Sequence, residues 1–340
     1  MNKLIWLYFL VTISFALSCT QDDVEPSHFA PKFMEIPNGF DEIEFPEDNA
    51  FSQSRWDLGK RLFYDPVMSL DSSISCASCH SSELAFSDDV AFSLGVGDRL
   101  GTRNAPTLAN VAYHPYYTRE GGVPTLEMQI LVPIQEHNEF DFNIVLLAER
   151  LKADSSYIQM SMEAYDREPD AFVITRSLAC FERSLISGYS RFDHYENYED
   201  FTALTQHEIN GLELFFSDRT NCSTCHGGFN FTNYAFENNG LYEAYADVGR
   251  FRFTGDEEDL ATFKVPSLRN VELTAPYMHD GSIKTLEDVV EHYNEGGFNH
   301  PHKSSLIKPL NLTQKEKEEL VEFLKTLTDY SFIQNPLFKN

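Results

Sequence analysis

Apolar residues recur with a helical period at Thr125–Leu131, Ile144–Lys152, Asp170–Ile186, His207–Phe216, Thr285–Tyr293 and Thr313–Leu327. Thr313-Gln-Lys-Glu316 opens the last of these as a capping box, in which hydroxyl and carboxylate satisfy N–H groups that the first turn leaves unpaired. Strand-like alternation is sparse. The intervening Ser87–Arg103 and Phe229–Lys264 are rich in Gly, Asn and Asp and read as loops. One short pattern occurs twice, as Gly59-Lys-Arg-Leu-Phe-Tyr64 and Gly211-Leu-Glu-Leu-Phe-Phe216. Each copy reads as a short helix leading into a cysteine-bearing turn. The chain is therefore expected to be mainly α, in two related domains divided near residue 200.

The cysteines say what those turns carry. Of six, Cys180 lies within the helical Arg176–Ile186 and reads as a small core residue. Four form Cys76-Ala-Ser-Cys79-His80 and Cys222-Ser-Thr-Cys225-His226, the spacing of c-type haem attachment. The thiols bind the haem vinyl groups, and the adjacent His becomes an iron ligand. Two disulfides are an alternative in an oxidising compartment. A single four-cysteine zinc site is another, but the two pairs lie much further apart than such sites use. A thioredoxin-like pair would need a βαβ setting that the pattern lacks. Two copies, each followed by His, favour haem. The expectation is two cytochrome-c-like domains, 50–200 and 201–340, each with one covalent haem. Long loops suit that, since haem supplies part of the core.

The start of the chain reads as an export signal: Lys3, an apolar run Leu4–Leu17, then small Ala16 and Ser18 before Cys19. The run is short for a membrane span. Residues 1–19 thus resemble a lipoprotein signal, with Cys19 as lipid anchor in the periplasm; ordinary cleavage to a soluble periplasmic protein is the alternative. Residues 20–49, rich in Asp, Glu and Pro, are expected to form an acidic flexible tether. Acidic residues number 53 against 26 basic, a net charge of −27. That charge repels nucleic acid and anionic membrane surfaces, and favours a cationic partner or a neutral small substrate.

Several stretches carry a family likeness. Leu58–Asp65, Ser69–Cys76, Ala85–Asp88, Gly101-Thr-Arg-Asn-Ala-Pro-Thr-Leu108, Phe263–Val271 and Ala275-Pro-Tyr-Met-His-Asp-Gly281 together resemble bacterial di-haem cytochrome c peroxidases, from about Phe51 to Phe323. The superfamily also contains MauG and similar proteins, which oxidise residues of a partner protein. The resemblance implies Glu139 as acid–base group and Gln129 as peroxide-orienting group, with Pro133 packed beside the pocket. Glu136 and His137 are the neighbouring alternatives to Glu139. It further implies a calcium ion at Asn104, Thr274 and Pro276.

Three departures matter. Typical peroxidases carry a capping His in a Ser-x-Gly-His-x-Gly loop; here it reads Ser93-Leu-Gly95-Val96-Gly97, so the first haem is expected to be open as isolated. The usual Met ligand of the second haem corresponds to Tyr293, as in MauG, with His292 as the neighbouring rival. The usual aromatic-Trp-Asp-Gly-Arg stretch reads Tyr116-Tyr-Thr-Arg-Glu-Gly-Gly122, without Trp, leaving Tyr117 or the haem edges as electron relay. The leading expectation is reduction of hydrogen peroxide to water with electrons from a small cytochrome c or cupredoxin. The alternative is MauG-like oxidation of a protein substrate, and the third is a non-catalytic electron carrier.

Overall fold

The computed structural model describes residues 34–340. The signal segment and Cys19 lie outside them. Among the described residues are thirteen α-helical segments: α1 Gln53–Tyr64, α2 Leu126–Gln129, α3 Leu131–Gln135, α4 Ile144–Lys152, α5 Ser155–Tyr165, α6 Ala171–Arg183, α7 Arg191–Asn197, α8 Gln206–Phe215, α9 Cys222–Cys225, α10 Phe251–Thr254, α11 Leu286–Glu295, α12 Gln314–Lys325 and α13 Tyr330–Gln334. The one sheet is a two-residue antiparallel pair, β1 Phe236–Glu237 with β2 Phe263–Lys264. The fold is thus mainly α. No described helix is long and apolar enough to cross a membrane.

The repeat seen in the sequence is a repeat of packing. In the first copy α1 crosses α6; in the second α8 crosses α12. Gly59 and Gly211 stand at the two crossings. A Cβ on Gly59 would lie 1.9 Å from the Ser177 carbonyl oxygen, and one on Gly211 1.9 Å from that of Glu319. Only glycine lets the helices approach this closely. Phe63 meets Phe181 at 5.1 Å between ring centroids, and Phe215 meets Phe323 at 5.1 Å. Phe86 and Phe231 complete the two aromatic clusters. Each cluster sits in its own hydrophobic core, although Phe332 and Phe338 return from the C-terminus to the first.

A second stretch repeats at a constant offset of 160 residues. Asn110 and Asn270 adopt left-handed backbone (φ 60° and 59°), as do Gly121 and Gly281. Tyr117 bridges Val123, and Tyr277 bridges Ile283. Thr125 and Thr285 then cap α2 and α11. Asn110 and Asn270 are fully buried and both bond Ser187, the first through its carbonyl at 2.8 Å and the second through its hydroxyl at 2.9 Å. The connecting segment is therefore held by the same device from both copies.

The tether expectation fails for the described part of residues 20–49. Phe40 packs against Phe229, ring centroids 4.7 Å apart and the planes tilted, with Arg269 over its ring, and Pro37 packs on Gly188. Asn49 is fully buried and donates to Glu127 at 3.0 Å. A few aromatic and amide anchors order a stretch whose average composition is that of a solvated linker.

Candidate functional site

The first cysteine motif is a tight turn, with Ser75 and Ser78 capping each other across Cys76–Ser78. The His80 imidazole donates from Nδ1 to the Phe86 carbonyl at 2.8 Å. That carbonyl is aimed by a closed loop: Phe86 N–H reaches the Ser81 carbonyl at 2.7 Å, and Ala85 and Phe86 both take left-handed backbone. The second motif repeats the arrangement, with His226 Nδ1 donating to the Phe231 carbonyl at 3.1 Å. Committing Nδ1 to a carbonyl fixes the tautomer and leaves Nε2 with its lone pair for a metal. Burial holds both imidazoles below the ordinary histidine range, hence neutral at pH 7.

Cys76 and Cys79 do not pair with each other, nor do Cys222 and Cys225, which disfavours the disulfide alternative. Among the described residues no cluster of three or more His, Cys, Asp and Glu could hold a metal, which removes the zinc alternative. Paired thiols beside an oriented imidazole fit haem at both motifs. Cys180 is fully buried in the first core.

Of the residues expected at the first centre, Glu139 is the one whose charge reaches the first motif. The chain after α3 folds back sharply, with Phe140 N–H on the Pro133 carbonyl and Phe142 N–H on that of Ile134. Glu139 is thereby turned toward the motif, and its charge is felt at Cys76 and Cys79. Its carboxyl is crowded by protein but open on one side. Burial, and then repulsion from Glu136, push its pKa up to about 7. Glu136 and His137 are exposed as Glu139 is, but His137 faces Asp141 across 3.2 Å on the surface. The Val96 loop docks on Glu139: Val96 N–H donates to the Glu139 carbonyl at 2.9 Å, and Arg99 ties the same turn through the His137 carbonyl and Asp141. Valine therefore stands against the carboxylate's own backbone. Gln129 closes α2, and its side-chain oxygen is buried with no hydrogen-bond partner. A buried acceptor left open is costly unless something is meant to meet it.

Around His226 the arrangement differs. By the 160-residue offset, Pro133 of α3 corresponds to Tyr293 of α11. Tyr293 lies close enough to Cys222 and Cys225 for their charges to act on it, and burial pushes its phenol up to about 12. Asn239 donates to the Tyr293 hydroxyl at 3.5 Å and to the Met278 sulfur at 3.1 Å. The rival, His292, spends Nε2 on the Asn239 carbonyl at 3.0 Å. Asn239 thus sorts the two neighbours. The sequence contained no sign of this beyond an Asn-Asn-Gly turn.

Two further residues escaped the sequence reading. Glu182 is 5% exposed, and burial lifts its carboxyl to about 8, so it is mostly neutral at pH 7; it lies within electrostatic reach of Cys76. The His114 Nε2 is buried and unpartnered, and the ring lies between Tyr117 and Tyr234 at 6.3 and 5.2 Å. Tyr117 is therefore one member of an aromatic row reaching the second copy. Of the positions assigned to calcium, Asn104 bonds the His279 carbonyl, and the Thr274 hydroxyl bonds that of Val271.

Comparisons with known proteins place the chain among related sequences and structures. The sequence profile of the family described as Di-haem cytochrome c peroxidase matches residues 53–200. The chain is 35% identical to Methylamine utilization protein MauG of Methylorubrum extorquens over 289 residues, 84% of this chain and 81% of that one. It is 32% identical to Cytochrome c551 peroxidase of Nitrosomonas europaea, covering 80% and 79%. Among solved structures, a MauG-like protein associated with microbial copper homeostasis superposes with a TM-score of 0.85 at 35% identity, covering 90% of this chain and 98% of that one.

Proposed function

The chain belongs to the di-haem cytochrome c peroxidase family, and we propose that it is a peroxide-activated oxidoreductase of the MauG-like kind, withdrawing electrons from a partner protein outside the cytoplasm. Haem bound at each motif would supply an iron able to break the peroxide O–O bond and to hold oxidising equivalents. Cys76, Cys79 and His80 would hold the first; Cys222, Cys225 and His226 the second, with Tyr293 as its other ligand. Glu139 takes a proton from one peroxide oxygen and returns it to the other, so that water can leave. A carboxyl lifted to about 7 suits both halves of that transfer near neutral pH. Gln129 orients peroxide by accepting a hydrogen bond at its open oxygen. Val96 offers no ligand, so the approach stays clear.

The observation that carries the reading is Tyr293, set beside the second motif while His292 is tied elsewhere. A phenolate oxygen favours the ferric and higher states, whereas Met raises the potential. The second reading is peroxide reduction to water, with electrons from a small cytochrome c or cupredoxin entering at the His226 motif. The net charge of −27 favours it, since such donors are often basic. An electron carrier has no use for an open carboxylate beside Val96. The export-type leader supports a location outside the cytoplasm, with anchoring through Cys19 part of the same proposal.

Adding peroxide to the matured, fully oxidised protein, with and without a reduced small cytochrome, tests this. A long-lived oxidised state spread over both centres, with slow cytochrome turnover, supports protein oxidation. Rapid cytochrome oxidation without pre-reduction supports the second reading. No reaction with peroxide at all sinks both.

A further inference from the structure

A buried guanidinium lies against Asn104, where the family resemblance leads one to expect calcium. Asn104 is 5% exposed, and each of its polar groups has a partner. Its backbone N–H donates to the His279 carbonyl at 2.9 Å, and Nδ2 donates to the Val90 carbonyl at 3.1 Å. Both of its oxygens accept from Arg119. Nη2 reaches the Asn104 carbonyl at 2.8 Å and Oδ1 at 3.2 Å, while Nε reaches the carbonyl at 3.3 Å. The oxygens that would ligate a metal ion already hold a cation belonging to the chain.

We propose that Arg119 takes the place of calcium in this protein: its guanidinium supplies the positive charge and the bonds to Asn104, and no calcium is bound there. Charge is the first argument. Arg119 lies within electrostatic reach of Arg103 and Lys264, and the nearby acids are Glu120, Asp247 and Asp280. These acids are engaged. Arg103 pairs with Glu120 and grips Asp247 with two bonds of 2.7 and 2.9 Å, and the Tyr242 hydroxyl donates to Asp280 at 2.6 Å. A divalent ion would enter as a fourth cation among acids already paired, and like charges this close repel strongly in a partly buried setting. Burial, and then Arg103, lower the Arg119 pKa to about 10, which leaves it charged at neutral pH.

Coordination is the second argument. Calcium takes about six to eight oxygens at about 2.3–2.6 Å. A calcium ion that close to the Asn104 oxygens would occupy the space of the Arg119 nitrogens. The third argument is register. Placing the Asp-Gly of the family's aromatic-Trp-Asp-Gly-Arg stretch on Glu120-Gly121 puts Arg119 at the Trp position. One replacement then accounts for both departures, removing the indole and bringing a cation to Asn104. The backbone holds the residue in place, because Lys264 N–H donates to the Arg119 carbonyl at 2.7 Å. Arg119 therefore joins the Asn104 loop to β2.

The test uses the full-length protein carrying both haems. Calcium is measured by elemental analysis after gel filtration in metal-free buffer. The visible spectrum and thermal midpoint are then followed with EGTA and with added calcium chloride. The expected result is substoichiometric calcium, with spectrum and midpoint unmoved by either reagent. One tightly held calcium per chain, whose removal by EGTA shifts the haem spectrum, overturns the proposal. Arg119→Gln provides the second arm: freeing the Asn104 oxygens should make the midpoint rise with added calcium, by several degrees where the parent protein shows none. A variant that folds and ignores calcium as the parent does would show that the guanidinium is not what excludes the ion, and would also overturn the proposal.

Discussion

The two halves of this molecule are built to one plan up to the point where their chemistry begins. Helix pair, glycine crossing, aromatic cluster, imidazole-orienting carbonyl and left-handed asparagine recur in both. They part at single side chains. Position 133 is proline in the first copy, and its counterpart, 293, is tyrosine. The first copy adds a carboxyl lifted to about 7 and an amide oxygen left open; the second adds Asn239, which bonds the phenol. A scaffold that sets the imidazole is thus separable from the few residues that, in the proposed function, leave one centre reactive and close the other. The shared frame provides the first, and a few side-chain differences provide the second.

The largest effect should come from deleting one attachment motif. Cys76→Ser with Cys79→Ser should lower the haem mass by one group and abolish reaction with peroxide. Cys222→Ser with Cys225→Ser should lower it equally, yet leave the first centre able to meet peroxide. Intact-protein mass and peroxide titration read both, and equal loss of peroxide reaction in the two variants would break the assignment of roles. Next comes Glu139→Gln, which should slow peroxide activation by roughly 10²–10³-fold, within the range of a positioned acid–base group. In the parent protein the rate should rise with pH through about 7, because the carboxyl must lose its proton before it can accept one from peroxide. The glutamine variant should be flat across that range, and a retained inflection would move the role elsewhere.

A reciprocal exchange sharpens the comparison further. Tyr293→Phe should convert the second centre from a six-coordinate to a five-coordinate spectrum, while Pro133→Tyr should close the first and suppress its reaction. An unchanged second-centre spectrum in Tyr293→Phe would remove the ligand. The smallest effects are on stability. Gly59→Ala and Gly211→Ala each push a methyl into a backbone carbonyl and should cost about 1–3 kcal/mol, typical of overpacking. Denaturant midpoints should fall by similar amounts if the two crossings are equivalent; a large inequality would show that one half dominates the fold.

Much of the helical framework was readable. The six periodic stretches lie on α2, α4, α6, α8, α11 and α12, since a long amphipathic face and a capping hydroxyl are local signals. α5 was missed because its buried stripe is Tyr157, Ser161 and Ala164, which counts as only weakly apolar. α7 and α13 are too short to show a period. The ordered stretch from about Pro37 was hidden by its acidic composition, although single anchors such as Phe40 and Asn49 hold it.

The division between order along the chain and arrangement in space follows from range. Ligand chemistry is written locally: Cys-x-x-Cys-His spans five residues, and the exchange of His for Val at 96 or of Met for Tyr at 293 is a property of single letters. Those features were legible because covalent and coordinate bonding depend on atom type and short spacing. What occupies each group's remaining valences was not legible. His292 is disqualified by a carbonyl 53 residues away, Asn104 is met by a guanidinium 15 residues away, and Arg103 is paired with a carboxylate 144 residues away. Such partners are chosen by packing, which brings distant segments within about 3 Å of one another and leaves no trace in local spacing.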